Sequence, residues 1–489
     1  MTDRRGLEER GGPSRRGLLW GQVVRRGSLA LAMAMSAGPA LAADLDGSRF
    51  GALWGLPFAG LLLSIALMPL LAPAIWHRHF GKISAGWALT LLLPLLAREG
   101  AGTTGGVLLH TAVAEYLPFV ILLTALFTTA GGIFIRGNLH GSPGLNVGLL
   151  AVGAALASVM GTTGASMLMV RPLIRANDNR RHNVHVLVFF IFIVSNAGGA
   201  LTPLGDPPLF LGFLQGVSFF WTLQHLAPHT LFMVGSLLAI FYGLDRHFYR
   251  REGVLPRDPT PDDHRFGIEG GLNFALLGVV VGLVLMSGLW KPAHPGWHLG
   301  GVSLSLPALL RDGALILVTL ASVVLTPRDV RARNQFSWAP MLEVAKLFAA
   351  IFVTMAPVLA MLKAGEQGAF AAVTRAVTAP DGQPMPWAYF WFSGLLSSFL
   401  DNAPTYLVFF NLAGGDAAQL MTQLAPTLVA ISAGSVFMGA NSYIGNAPNF
   451  MVKAIAEERG IAMPSFFGYM AWSGAVLIPL FLVMSLIWF

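Results

Sequence analysis

Apolar stretches of about 20 residues, the length a helix needs to cross a bilayer, recur along nearly the whole chain. The first five read as crossings from Gly51 to Ile75, Ser84 to Ala97, Leu117 to Phe134, His182 to Gly216 and Pro228 to Leu244. Five more run from Gly270 to Trp290, Leu306 to Thr326, Trp338 to Leu362, Pro426 to Ala456 and Pro464 to Trp488. Two further stretches, Gly144 to Ile174 and Trp387 to Leu412, are interrupted near their middles by polar residues. They read as re-entrant hairpins that enter and leave on one side. The pattern predicts an all-α polytopic membrane protein with two inverted five-span repeats, each carrying a re-entrant hairpin and a broken helix.

Composition supports a lipid-facing chain. Of 489 residues, 55% are hydrophobic and 11% charged, against roughly 25% charged in soluble domains. The absence of cysteine excludes disulfides, thiolate metal sites and cysteine chemistry. No H-E-x-x-H, G-x-S-x-G or Walker loop is present, so a membrane enzyme or a self-contained ATP-driven pump is disfavoured. An ATPase partner subunit stays open.

Residues 1–42 read as a signal-like leader, with Arg25-Arg26 before an apolar run and Ala40-Leu41-Ala42 as a cleavage signature. An uncleaved first helix is the competing reading. Either way, residue 43 emerges outside. The net charge of +7 then has a topological explanation that requires no nucleic acid. Predicted cytoplasmic segments collect Arg78, Lys82, Arg136, Arg171, Arg175, Arg180, Arg181, Arg246, Arg250, Arg251, Arg257, Arg265, Arg328, Arg331, Arg333, Lys453 and Arg459. Outer segments hold only Arg49, Arg98, Lys291, Arg311, Lys363 and Arg375, which is the positive-inside pattern of a bacterial inner-membrane protein.

The two halves match in sequence. Gly199 to Leu211 reads GALTPLGDPPLFL and Gly439 to Met451 reads GANSYIGNAPNFM, identical at five of 13 positions. The match lies in Gly, Pro and polar residues, which argues against chance similarity between apolar segments. The repeats are assigned to 43–244, with hairpin 144–174 and broken helix 182–216, and to 270–489, with hairpin 387–412 and broken helix 426–456. Residues 245–269 form a cytoplasmic linker. Inverted repeats with broken helices are characteristic of secondary transporters; a channel is a weaker alternative.

Each break carries the chemistry of a helix that stops and restarts. Asp206-Pro207-Pro208, Asn446-Ala447-Pro448 and Asn402-Ala403-Pro404 place an N-cap residue before proline. A restarted half-helix aims N–H groups into the midplane, while the preceding half leaves carbonyls unpaired. Pairing each hairpin tip with the broken helix of its own repeat gives two candidate sites. One gathers Thr162, Thr163, Ser195, Asn196, Thr202 and Asp206; the other gathers Asp401, Asn402, Thr405, Asn441, Ser442 and Asn446. The repeat alignment sets Asp206 opposite Asn446 and Asp401 opposite Thr162. Such hard oxygen ligands suit sodium or a proton, with no transition metal and no organic cofactor. A carboxylate near the bilayer centre costs at least about 2.5 kcal/mol, which points to function for Asp206 or Asp401, although each can also serve as a simple cap. Glu115, with His110, reads as an outer-interface or accessory residue. Glu343 and Lys346, three apart on one helix, read as an ion pair or accessory residues.

The stretches SNAGGALTPLGDPPLFLGF (from Ser195), FLDNAPTYLVF (from Phe399) and GANSYIGNAPNF (from Gly439) resemble the ion-transporter superfamily of citrate and dicarboxylate carriers, arsenite permeases and certain sodium/proton antiporters. The resemblance spans essentially the whole chain after the leader. It is strongest to the sodium/proton antiporter or citrate transporter branch. It implies a scaffold with a mobile transport domain, ion sites at the hairpin tips and a homodimer. The dicarboxylate carriers' repeated Ser-Asn-Thr is missing: the tips read Gly-Thr-Thr and Asp-Asn-Ala. Sodium/proton antiport by alternating access is therefore the leading reading, and cation-coupled transport of citrate or another carboxylate is the alternative. A channel or arsenite-type permease ranks below both.

Overall fold

The structure, a computed structural model, describes residues 45–137, 139–253, 267–292, 296–299 and 302–489. The expected leader, 1–42, and most of the expected linker lie outside the described residues. Among the described residues the chain is nearly all helical, and nine helices are long and apolar enough to cross a bilayer. It is a multi-pass membrane protein.

The first half opens with α1 (Leu56–Leu71), α2 (Pro73–His110) and α3 (Leu117–Ala130). Gly100, at φ +78°, kinks α2, and a π-helical turn, Thr111–Tyr116, joins α2 to α3. The span expected to begin at Leu117 is thus the continuation of a longer helix. Glu115, which precedes that expected span, sits in the π-helical turn. The glycine-rich run from Gly100 to Gly106 hid this, because glycine weakens any local helical signal. Tyr116 pins the π turn by donating to the Ala345 carbonyl at 3.0 Å.

Next come α4 (Pro143–Met160) and α5 (Thr162–Ala176), which meet at Gly161. Its φ of +82° is a conformation that glycine reaches without a side-chain penalty. The following helix is broken into α6 (Val184–Ile193), a 3₁₀ turn (Ala197–Leu201) and α7 (Pro207–Leu214). Helix α8 (Phe219–Arg251) extends beyond the expected Pro228–Leu244 span at both ends. Residues 245–251, assigned to the linker from sequence, therefore continue this helix. Arg250 and Arg251 in its last turn complement the negative end of the helix dipole.

The second half runs through α9 (Leu272–Leu289), α10 (Leu306–Leu325) and α11 (Ala339–Lys363). Helices α12 (Pro386–Phe399) and α13 (Asn402–Leu412) meet at Leu400-Asp401. A second broken helix consists of α14 (Ala425–Met438), a 3₁₀ turn (Gly439–Asn441) and α15 (Ala447–Glu458), followed by α16 (Phe466–Trp488). Two-stranded ribbons are minor features, one pairing Phe134–Arg136 with Gly267–Glu269.

Burial separates core from periphery. The span Val184–Leu201 is 89% buried, whereas Leu272–Leu289 and Leu306–Leu325 are each 22% buried. The broken helices thus lie at the centre and are sheathed by helices that present Leu and Val outward. In the second half, α12 packs along α14; in the first, the 3₁₀ turn at Ala197–Leu201 packs on α4. The restarted halves cross over: α7 packs on α13, and α15 packs on α5. This exchange brings the two halves of the sequence into one centre.

Both breaks require close backbone approach. A Cβ on Gly205 would lie 2.1 Å from the Gly199 carbonyl oxygen, and one on Gly445 would lie 2.5 Å from that of Gly439. Gly205→Ala should therefore lower the unfolding temperature and the yield of folded protein. Gly313→Ala, where a Cβ meets nothing within 4 Å, should leave both unchanged. Thermal unfolding in detergent compares the two; equal stability would refute the close-approach argument.

Candidate functional site

The site is built from four half-helix N-termini. Their N-cap residues are Gly161 for α5, Asp206 for α7, Asp401 for α13 and Asn446 for α15. Each such terminus carries unpaired N–H groups and a partial positive charge, which favours carboxylates and amide oxygens nearby.

Asp206 is the hub. It is 1% exposed and receives three side-chain donors. Thr162 Oγ1 donates to Oδ1 at 2.8 Å, Asn446 Nδ2 to Oδ1 at 3.2 Å and Asn402 Nδ2 to Oδ2 at 2.5 Å. All three donors are neutral, and among the described residues no Lys, Arg or His forms an ion pair with Asp206. Asn402 spends its amide on Asp206, which leaves its carbonyl oxygen buried and without a partner. That is an uncommon condition for a buried acceptor. Asp401 caps α13 by accepting from the Ala403 amide at 3.1 Å, and its backbone carbonyl accepts from Thr405 Oγ1 at 3.0 Å.

The two groupings drawn from sequence meet as one cluster, because α7 and α13 pack together. The repeat alignment also shifts by one residue at the hairpin tip. Thr202 Oγ1 donates to the Ser158 carbonyl at 2.5 Å, and Ser442 Oγ donates to the Ser398 carbonyl at 2.5 Å. The offset that relates these pairs matches Thr162 to Asn402 and Gly161 to Asp401, rather than Thr162 to Asp401. Thr162 and Asn402, as equivalents, both donate to Asp206.

The remaining residues take supporting places. Thr202 and Ser442 clasp each broken helix to its hairpin. Asn441 donates to Ser398 Oγ at 2.9 Å, while its own Oδ1 is buried without a partner. Ser195 shares a 2.8 Å hydrogen bond with Ser166. Thr163 lines a small cavity of about 90 Å³ beside Thr162 and Asp206. Asn196 donates to Asn449 Oδ1 at 2.8 Å and accepts from Asn446 Nδ2 at 3.2 Å. Asn449 was missed from sequence. It is fully buried and donates to the Gly439 and Ser442 carbonyls, each at 2.9 Å. The available signal was its polarity where the matching stretch of sequence has Leu209.

Two larger cavities lie near opposite ends of α11. One, of about 550 Å³, runs between α1, α2 and α11 on one side and α5 and α15 on the other. It reaches from Arg171, Gln335 and Glu458 to Asp401 and Asn446, with Glu343 on its wall. The other, of about 400 Å³, contains Asp46, His110, Glu115 and Lys363 and is lined by no residue of the cluster. Glu343 and Lys346 form no ion pair. The Lys346 ammonium instead lies 5.4 Å from the centroid of the Phe80 ring.

A buried carboxylate supplied with neutral donors, beside an unpartnered amide oxygen and a second carboxylate, can hold a small cation or a proton in place of a permanent counter-ion. Together with the spans, this defines a membrane transporter. A family model described as "Putative citrate transport" matches residues 47–489, and the chain belongs to that citrate transporter family. It is similar to a "46 kDa membrane protein" of Mycobacterium leprae, 23% identical over 77% of this chain and 85% of that one. It is also similar to proteins termed "Uncharacterized transporter" in Mycobacterium tuberculosis, 24% identical over 78% of this chain and 82% of that one, and in Synechocystis, 24% identical over 65% and 70%.

Proposed function

We propose that this protein is a secondary active transporter of the bacterial inner membrane that exchanges sodium for protons at Asp206 and Asp401. Its two inverted repeats, 43–244 and 270–489, enclose the cluster, and 144–174 and 387–412 serve as re-entrant hairpins. The single observation that carries this reading is the Asp206 environment: three neutral donors, no ion-pair partner among the described residues and the free Asn402 oxygen alongside. Ionised, Asp206 and Asp401 attract a sodium ion; protonated, they release it. Sodium and proton thus compete for the same oxygens, and competition at one site exposed alternately to each side gives obligatory exchange.

The clustering of Arg and Lys supports assigning the 550 Å³ cavity to the cytoplasmic side, with the mature N-terminus outside. Transport of citrate with a coupling cation is the second reading, favoured by the family description. The carboxylates weigh against a bare anion at the centre, since like charges there raise its energy.

Purified protein in proteoliposomes, under an imposed pH gradient, distinguishes the two. Collapse of the gradient on adding sodium or lithium, absent in Asp401→Asn, is the expected result. A response to citrate alone, accompanied by labelled citrate uptake, would overturn sodium/proton exchange.

A further inference from the structure

We infer that Glu343 is the proton relay between Asp401 and the cytoplasm, an inference that rests on the exchange reading above. Glu343 sits in the first turns of α11, on the wall of the same 550 Å³ cavity that Asp401 lines. The partner that sequence spacing offers it, Lys346, is turned toward Phe80. No salt bridge or hydrogen bond occupies its carboxylate among the described residues, so a titratable group faces the cavity unengaged. A carboxylate placed in a membrane helix without a partner is costly, and its position on the route to Asp401 supplies a reason for it.

The charged and titratable groups that face this cavity come from every wall. They are His77 from α2, Arg171 from α5, Tyr443 and Asp401 from the two breaks, and Glu458 from α15. Arg171 donates to Gln335 through Nε at 3.2 Å and Nη2 at 3.0 Å, and it forms no salt bridge with Glu343. His77, on the neighbouring helix α2 of the same wall, is the basic group left facing the cavity near Glu343.

The transfer balances simply. When sodium arrives, the Asp401 carboxyl gives its proton to a cavity water, and that water gives one to the Glu343 carboxylate. Glu343 then releases its proton to the cytoplasm, and the reverse order loads Asp401. A cavity of this size has room for several waters, and in its largely apolar lining Asp401, Glu343, His77 and Asn446 are the groups that can hold them. Glu343 binds no sodium in this scheme. It sets the rate at which protons reach and leave the site.

The test uses full-length protein in proteoliposomes, with sodium-driven proton flux measured in H2O and D2O across a range of internal pH. Glu343→Gln should lower turnover by roughly 100-fold, the lower end of the loss typical of removing a proton-transfer group. It should also enlarge the solvent isotope effect and change the pH profile. Radiolabelled sodium binding to the detergent-purified variant should match wild type, which also reports correct folding. Glu343→Asp should restore much of the flux. Wild-type turnover and pH profile in Glu343→Gln would overturn the relay while leaving exchange intact, and so would sodium binding lost in parallel with turnover. A wild-type protein that moves no protons with sodium or lithium would overturn exchange and the relay together.

Discussion

Asp206→Asn is expected to abolish sodium-driven proton exchange while leaving the protein folded and at least as stable as wild type. The side chains are nearly the same size, so packing is preserved. An amide at position 206 still accepts from Thr162 and Asn446. Its new NH2 group would face the NH2 of Asn402, but Asn402 has a free oxygen and can turn it inward to accept. The variant therefore mimics a site that is permanently protonated. What it loses is charge: a carboxylate about 4 Å from a monovalent cation contributes about 4 kcal/mol at an effective dielectric near 20. That corresponds to roughly a thousandfold in sodium affinity. Isothermal titration with sodium, paired with thermal unfolding, measures both quantities. Retained sodium affinity would remove Asp206 from the site.

Asp245→Ala should do the opposite, impairing stability by a mechanism remote from ion binding. Arg180 and Asp245 form an ion pair at 2.5 Å, and both side chains are 0% exposed. His185 Nε2 lies 2.8 Å from the same carboxylate, and Asn146 donates to its other oxygen at 3.0 Å. The network ties the hairpin α4–α5 to the first broken helix and to α8. Removing one partner of such a pair strands a buried charge and costs about 3–5 kcal/mol. The yield of folded protein and its unfolding temperature should fall sharply. Replacing Arg180 and Asp245 together with Met and Leu should recover much of that loss, because the stranded charge is gone. If Asp245→Ala unfolds at the wild-type temperature, the pair is not a structural clasp.

These two variants mark what the sequence could and could not reveal. The helix breaks were legible because Gly161, Asp206-Pro207-Pro208, Asn402-Ala403-Pro404 and Asn446-Ala447-Pro448 have local capping chemistry that acts within one turn. The meeting of Asp206 with Asn402 was not legible. It depends on α7 crossing to pack on α13, a contact between segments nearly 200 residues apart that no local pattern encodes. The same limit hid Arg180–Asp245, where each residue alone reads as one more charge near the membrane face. The start of the span at Leu117 was set too late because its glycine-rich approach weakens the local helical signal, whereas packing against α11 sustains a helix through Glu115. Spacing also paired Glu343 with Lys346, and an aromatic ring on α2 took the lysine instead.

Simultaneous measurement of radiolabelled sodium uptake and proton efflux in proteoliposomes tests the central claim most directly. The account predicts that the two fluxes are strictly coupled in the wild-type protein and that both vanish in Asp206→Asn and Asp401→Asn. Sodium entry without proton efflux, or coupled fluxes undiminished in either variant, would contradict it.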